Sequence, residues 1–179
     1  MKKRILTWLL AVGMLASLLT VPAGAANATR FSDVADNYTA TAIETLRLMG
    51  VLDGYGDGTF RPDTILNRAQ FCKMAVYAMD GSGELGRYST VTIFPDVKPS
   101  HWASAYINMA SRKGIISGFA DGKFKPGQTV TAGQAVTILM RGLGYKDEDM
   151  GGVWPQSYMA EAQTNGLLKS TGITSAYAG

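Results

Sequence analysis

Arg68 stands at the start of a helical pattern, between Asn67 and Gln70, and that setting favours an anion. The first backbone N–H groups of a helix lack intrahelical partners and sit at the positive end of its dipole. A guanidinium beside them can grip a carboxylate through two parallel hydrogen bonds, a more directional contact than a lysine makes. The competing reading is an exposed first-turn arginine, mildly unfavourable next to the dipole. Thr131 and Gln134 reproduce the spacing of Asn67 and Gln70, but Ala132 replaces the arginine and Gly133 follows it. This second copy is expected to hold an anion weakly or to serve in packing. Arg61 and Lys125 put a cation just before Pro62 and Pro126. They are candidates to help hold an acidic ligand, although solvated turn residues are the stronger reading. Trp102, Trp154 and Tyr38 have flat faces that stack on sugar rings. Their helical spacing to apolar neighbours favours core packing, with an edge of Trp102 or Trp154 bordering a groove.

Chemistry beyond binding finds little support. No recurrent carboxylate pair, Ser/His/Asp set or phosphate loop is present, so no catalytic residue is assigned and no cofactor is implied. His101 is the only histidine and has no companion for a metal site. Asp53-Gly54-Tyr55-Gly56-Asp57-Gly58 superficially resembles the start of an EF-hand loop. Its third position is Tyr55 and its twelfth is Thr64, where a calcium loop needs an acceptor and a bidentate glutamate. Asp57-Gly58 and Asp121-Gly122 read instead as turns whose glycines tolerate positive φ. Cys72 is the only cysteine, so no intramolecular disulfide forms, and its helical setting favours a small buried hydrophobe over a nucleophile.

Lys2, Lys3 and Arg4 precede an unbroken apolar run from Ile5 to Val21, and Ala23 to Ala28 offers A-x-A sites after Ala25 and after Ala28. This is a secretory signal, residues 1–28, read as cleaved rather than kept as an anchor. Cleavage removes three of the seventeen basic residues and leaves them equal in number to the fourteen acidic ones. General attraction to nucleic acid, or to a membrane after cleavage, then loses its support, and any anion site must be local.

The elements that must position these residues come from an internal repeat. Phe31-Ser32-Asp33-Val34 returns as Phe94-Pro95-Asp96-Val97, and the block from Gly50 to Pro62 returns from Gly114 to Pro126. Trp154, Tyr158, Gly166 and Leu167 repeat the spacing of Trp102, Tyr106, Gly114 and Ile115. The organisation is therefore a first repeat over 29–80, a linker over 81–92, a second repeat over 93–143, a linker over 144–152, and a partial third repeat over 153–179. The chain is expected to be the front of a longer one, a naturally short product being the alternative. Lys146-Asp147-Glu148-Asp149 in the second linker reads as a solvated loop rather than a cation site.

Each repeat reads as helix, glycine-rich turn, helix. Thr39, Ile43, Leu46 and Met49 form the first stripe, closed by Gly50; Trp102, Tyr106, Met109 and Ala110 form its counterpart, closed by Gly114. Asn67 with Gln70, and Thr131 with Gln134, have the form of a reciprocal capping box. Phe71, Met74, Ala75 and Ala78, and likewise Val136, Leu139, Met140 and Leu143, are the expected buried faces. A single hairpin of this kind cannot bury its face alone. The fold class is thus mainly α, with tandem helix-turn-helix repeats packed as a small bundle.

F-x-D-V, an aromatic, G-I-I-x-G, D-G-x-F-x-P and a T-R-A-E-like helix start together resemble the signature of S-layer homology domains. The resemblance covers essentially the whole mature chain. It implies a pseudo-threefold unit of three repeats, here with the third incomplete, and a secreted protein resident in the cell wall or S-layer of a Gram-positive bacterium. It further implies non-covalent anchoring through a secondary cell-wall polysaccharide, typically pyruvylated, bound in grooves between repeats. Arg68 matches the family's arginine, while Asn67 and Gln70 replace its usual threonine and glutamate; losing the glutamate removes a competing negative charge. The alternative is contact with other surface-protein chains in a lattice, without glycan. An incomplete third repeat would expose an apolar face. Self-association of the 179-residue chain is therefore expected on gel filtration, and a monodisperse monomer would contradict it.

Overall fold

The structure is a computed structural model that describes residues 31–35, 37–79, 83–169 and 171–174. The signal sequence and the side chain of Tyr38 lie outside the described residues. Five α-helices are described: α1 Asn37–Leu48, α2 Arg68–Met79, α3 Ser104–Arg112, α4 Ala132–Gly142 and α5 Gln156–Thr164. No strand occurs among the described residues, apart from an isolated antiparallel bridge between Asn67 and Thr129. None of the described helices is long and apolar enough to cross a membrane. The mainly helical architecture read from the repeats is the one observed.

The chain divides into two compact units, one containing residues 31–46 with Gly54–Pro62, the other Arg47–Asp53 with Asp63–Gly179. In the first, Asp33 takes the backbone N–H of Phe60 at 2.8 Å and that of Arg61 at 2.6 Å. Phe31 packs on Phe60, with ring centroids 5.5 Å apart. A Cβ at Gly54 would lie 2.1 Å from the Phe31 ring, so only glycine fits there. The second unit contains the same device. Asp96 takes the N–H groups of Phe124 and Lys125 at 2.9 and 2.7 Å. Phe94 packs on Phe124 at 5.5 Å and against Gly118. The F-x-D-V motif is therefore the clamp of the turn 28 residues downstream, as measured from Asp96 to Phe124.

That clamp holds an unusual backbone. Arg61 and Lys125 both have positive φ, 60° and 57°, a conformation most side chains avoid. Each is paired with an aspartate four residues earlier, Arg61 with Asp57 at 2.7 Å and Lys125 with Asp121 at 3.0 Å. Each also lies over an aromatic ring, Arg61 over Tyr55 and Lys125 over Phe119. Asp57 bonds the backbone N–H and hydroxyl of Thr59 within the same turn, in keeping with a turn rather than a calcium loop.

In the larger unit α2 packs against α3 and α4, and α4 against α5. Ala69, Cys72, Ala75 and Val76 of α2 meet Ile107, Met109 and Ala110 of α3 in one core, joined by Phe94, Val97 and Phe124. Val136 and Met140 of α4 meet Tyr158, Met159 and Ala162 of α5 in a second. These faces correct the sequence reading. On α2 the buried stripe is small, while Phe71 and Met74 are half-buried and Ala78 is exposed. Small side chains allow the close helix approach, which displaces the larger ones to the flanks. On α4, Leu139 and Leu143 are exposed, as is Met49 after α1. Cys72 is fully buried, and burial pushes its thiol up to about 12. Leu85 and Tyr88 of the first linker form part of a 3-10 turn packed against the core, so that segment is not wholly solvated.

The clamping carboxyls are held below the usual aspartate value. For Asp33 the Phe60 N–H bond is the main cause; for Asp96 burial is the largest single influence and pushes upward, but the backbone N–H bonds, led by Phe124 and Lys125, together overcome it. Asp57 in the first turn is lowered to about 2, chiefly by the Thr59 hydroxyl. Groups with depressed folded pKa stabilise fully above the unfolded value near 4 and lose that contribution as pH falls through the folded value. Urea midpoints should therefore drop between about pH 4 and pH 2, and Asp96→Asn should lower the neutral midpoint while flattening that drop. An unchanged pH dependence in the variant would contradict the clamp.

Candidate functional site

The N-terminus of α2 is closed to an anion. Asn67 and Gln70 cap each other, Gln70 N–H donating to Asn67 Oδ1 at 2.9 Å and Asn67 N–H to Gln70 Oε1 at 3.0 Å. The N–H groups of Arg68 and Ala69 donate to the carbonyls of Gln128 and Pro126 at 2.8 and 3.1 Å. The expected orphan donors are thus satisfied by the backbone of the second repeat, which correction removes the helix dipole as the anion's seat.

The Arg68 side chain is buried, only 4% exposed, so neither the exposed arginine nor the helix-end grip is observed. Its guanidinium donates to Phe124 O at 2.9 Å, Gln134 Oε1 at 3.2 Å and Ser117 O at 3.1 Å. Phe119 and Phe124 present ring faces to it at 4.5 and 4.6 Å. Burial lowers its pKa, with Cys72 and Asp96 opposing, yet a guanidinium stays charged in a protein. Gln134 explains a difference between the two caps. Thr131 accepts from Gln134 N–H at 3.3 Å, whereas the Gln134 side-chain oxygen is taken by Arg68, because a charged donor forms the stronger bond.

The guanidinium borders a cavity of about 480 Å³ in the larger unit. It is lined by residues 116–120 of the second turn, by Gln134, Thr137, Ile138 and Arg141 of α4, and by Asp147, Met150, Gly152, Trp154, Ser157 and Tyr158. Arg141 donates to Asp147 through Nε at 2.8 Å and Nη2 at 2.7 Å, and to Ser117 Oγ through Nη1 at 3.0 Å. Tyr158 donates its hydroxyl to Asp147 at 2.5 Å. Asp147 is accordingly held below the usual carboxylate range, first by Tyr158 and then by Arg141, against the opposing effect of burial. Trp154 donates Nε1–H to Thr137 Oγ1 at 3.0 Å, which fixes the indole at the cavity wall.

Arg68, Gln134 and Trp154 are therefore brought together, while Asn67, Gln70, Thr131, Arg61, Lys125 and Trp102 do not line the cavity. Trp102 and Trp154 are 55% and 52% exposed, so neither is mainly a core residue. Trp102 stacks on His101 at 5.7 Å. The sequence does not mark Arg141, Asp147 or Tyr158 as ligand-facing, Tyr158 standing out only as a member of the repeat. Arg141 looks like an ordinary basic residue in the last turn of a helix, and Asp147 sits in the acidic run read as solvated.

Residues 30–72 and 93–136 match the S-layer homology domain family. This is an S-layer homology domain protein. Relatives of this S-layer homology chain include the middle cell wall protein of Brevibacillus brevis, 34% identical over 130 residues, covering 72% of this chain and 12% of that protein. A cell surface protein of Thermoanaerobacter kivui is 36% identical over 159 residues, 87% of this chain and 20% of the relative. A cellulosome-anchoring protein of Acetivibrio thermocellus is 31% identical over 123 residues, 68% and 27% of the two chains. The chain thus spans roughly a tenth to a quarter of the length of these relatives.

Because the buried Arg68 bonds three acceptors, of which Phe124 O is fully buried, Arg68→Ala should destabilise the larger unit by about 2 kcal/mol, through the orphaned Phe124 carbonyl and the lost packing on two rings. Urea unfolding measures this directly. A stability equal to that of the parent would show that the guanidinium is not structural.

Proposed function

We propose that this chain anchors an exported surface protein to the bacterial cell wall by binding an anionic wall polysaccharide in the cavity beside Arg68. The observation that carries the reading is one cavity holding two guanidiniums, Arg68 and Arg141, with the half-exposed Trp154 indole at its wall. An indole face stacks on a sugar ring, and a guanidinium grips a carboxylate. A pyruvylated sugar supplies both partners in one ligand. The cell-wall, cell-surface and anchoring roles in the relatives' names support the same reading, which is of a binding module and not an enzyme.

In this reading Arg68 plays two parts: it holds the second turn in place and lends its charge to the cavity. Asn67, Gln70 and Thr131 contribute indirectly as helix caps, and Arg61 and Lys125 as turn residues. Trp102 holds the position of Trp154 one repeat earlier and is likewise half exposed. Residues 153–179 open a third repeat, since α5 is followed by Gly166 with φ 75°, as α3 is followed by Gly114 with φ 70°. Export after Ala25 or Ala28 and residence in the wall complete the proposal.

The test is co-sedimentation with purified Gram-positive wall fragments before and after acid stripping of secondary polysaccharide. Binding should vanish on stripping and weaken about tenfold or more in Trp154→Ala and Arg141→Gln, the loss typical of a stacked ring or a charge-assisted pair. Binding indifferent to stripping would favour a protein lattice instead, with other surface chains as partners.

A further inference from the structure

Arg141, Tyr158 and Asp147 form a unit whose two halves are held very differently. The donor half is rigid. The Arg141 side chain is 13% exposed, braced by Ser117 Oγ on Nη1 and lying 5.7 Å from the Tyr158 ring centroid. Tyr158 is almost wholly buried in the α4–α5 core. The acceptor half is exposed. The Asp147 side chain is 68% exposed and rides on a three-residue 3-10 turn, Asp147–Asp149, in the linker after α4. Its carboxylate is already mostly in water, so its release gives up three hydrogen bonds but little burial.

We propose that the Nε–H and Nη2–H groups of Arg141 and the Tyr158 hydroxyl form a carboxylate seat, which the chain fills with its own Asp147. A carboxylate-bearing sugar then binds by exchanging with Asp147, which swings into solvent. The two Asp147 oxygens mark where the ligand's oxygens lie, because they already take a bidentate guanidinium at 2.8 and 2.7 Å and a hydroxyl at 2.5 Å. The seat opens on the cavity that also holds Arg68 and Trp154. With Asp147 in place Arg141 is neutralised and Arg68 supplies the remaining charge.

The preceding repeat offers an internal contrast. Tyr77 stands where Arg141 would be and Tyr106 where Tyr158 would be, and their hydroxyls bond each other at 3.2 Å. No guanidinium stands at these matching positions, so among the described residues the device is found at the later cavity.

This proposal rests on the anionic-glycan reading above, and its test separates the two. Arginine Nε–H resonances of the full chain are followed by NMR during titration with sodium acetate, the simplest carboxylate. The parent is compared with Asp147→Asn, Asp147→Ser and the control Asp149→Asn. If Asp147 fills the seat about nine-tenths of the time, its removal raises apparent affinity about tenfold. The Arg141 signal should then shift at about tenfold lower acetate in both Asp147 variants, and Asp149→Asn, which makes the same charge change two residues away, should follow the parent. Equal midpoints in parent and Asp147 variants, or an equal gain in Asp149→Asn, would overturn the seat. Sedimentation with wall fragments is run on the same proteins. Acetate exchange without wall binding would sink the anchoring reading and leave the seat standing; wall binding without a difference in acetate midpoint would do the reverse.

Discussion

A buried guanidinium organises the larger unit of this protein. Arg68 leaves water almost completely, a cost met only where neutral acceptors and aromatic faces surround the charge. Its three acceptors, Phe124 O, Ser117 O and Gln134 Oε1, lie 49 to 66 residues further along the chain. Two of them are carbonyls of an irregular turn, which has no ladder of its own to hold it. Asp96 supplies that rigidity by taking the N–H groups of Phe124 and Lys125, and Phe94 by closing on Gly118. The F-x-D-V segment thus shapes the turn, the turn receives the guanidinium, and the guanidinium faces the cavity. A defect at any step is passed to the next.

The parts of this chain legible in the sequence are those whose partners are close or repeated. The clamp recurs because Asp33 and Asp96 meet the corresponding two N–H groups in each copy, and Gly54 recurs as Gly118 because Phe31 and Phe94 leave no room for a Cβ. The Asn67–Gln70 capping box spans three residues and is fully local. Arg68 was recognised as unusual for the right residue and the wrong setting. Its position on the helix is local information, but its destination depends on how the second repeat folds back, which no spacing encodes. The buried stripe of α2 was misjudged for a related reason: apolar size marks Phe71 and Met74, while close packing selects Ala69, Cys72 and Ala75.

Asp147 conceals its partners and not its burial. An acidic run in a polar linker looks solvated, and Asp147, Glu148 and Asp149 are all exposed. Only the fold reveals that Arg141 on α4 and Tyr158 on α5 converge on one carboxylate of the run. Helical spacing makes the tryptophans look like core residues with one edge at a groove, yet both are half exposed and Trp154 lines the cavity. Trp154 precedes α5, and its N–H bond to Thr137 holds the ring at the cavity rather than inside the bundle.

The two repeats separate what holds the scaffold from what meets a ligand. Clamp aspartates, tilted phenylalanine pairs and positive-φ cations are the same in kind in both copies. The cavity-facing positions are not. Ser117, Thr137 and Arg141 line the later cavity, whereas Asp53, Lys73 and Tyr77 stand at the matching places one repeat earlier, with Lys73 3.7 Å from Asp53. A lysine already paired with an exposed carboxylate, beside two mutually bonded tyrosines, presents hydroxyls and a weak ion pair. A forked guanidinium with a hydroxyl beside it presents three convergent donors. Such donors discriminate a carboxylate from a neutral hydroxyl far more sharply than the tyrosine pair does. The repeat architecture thus lets one kind of turn carry chemically distinct side chains in its two copies, because the aspartate clamp that fixes each turn lies outside the residues that face the cavity, while Arg68, Phe119 and Arg141 reach both turn and cavity.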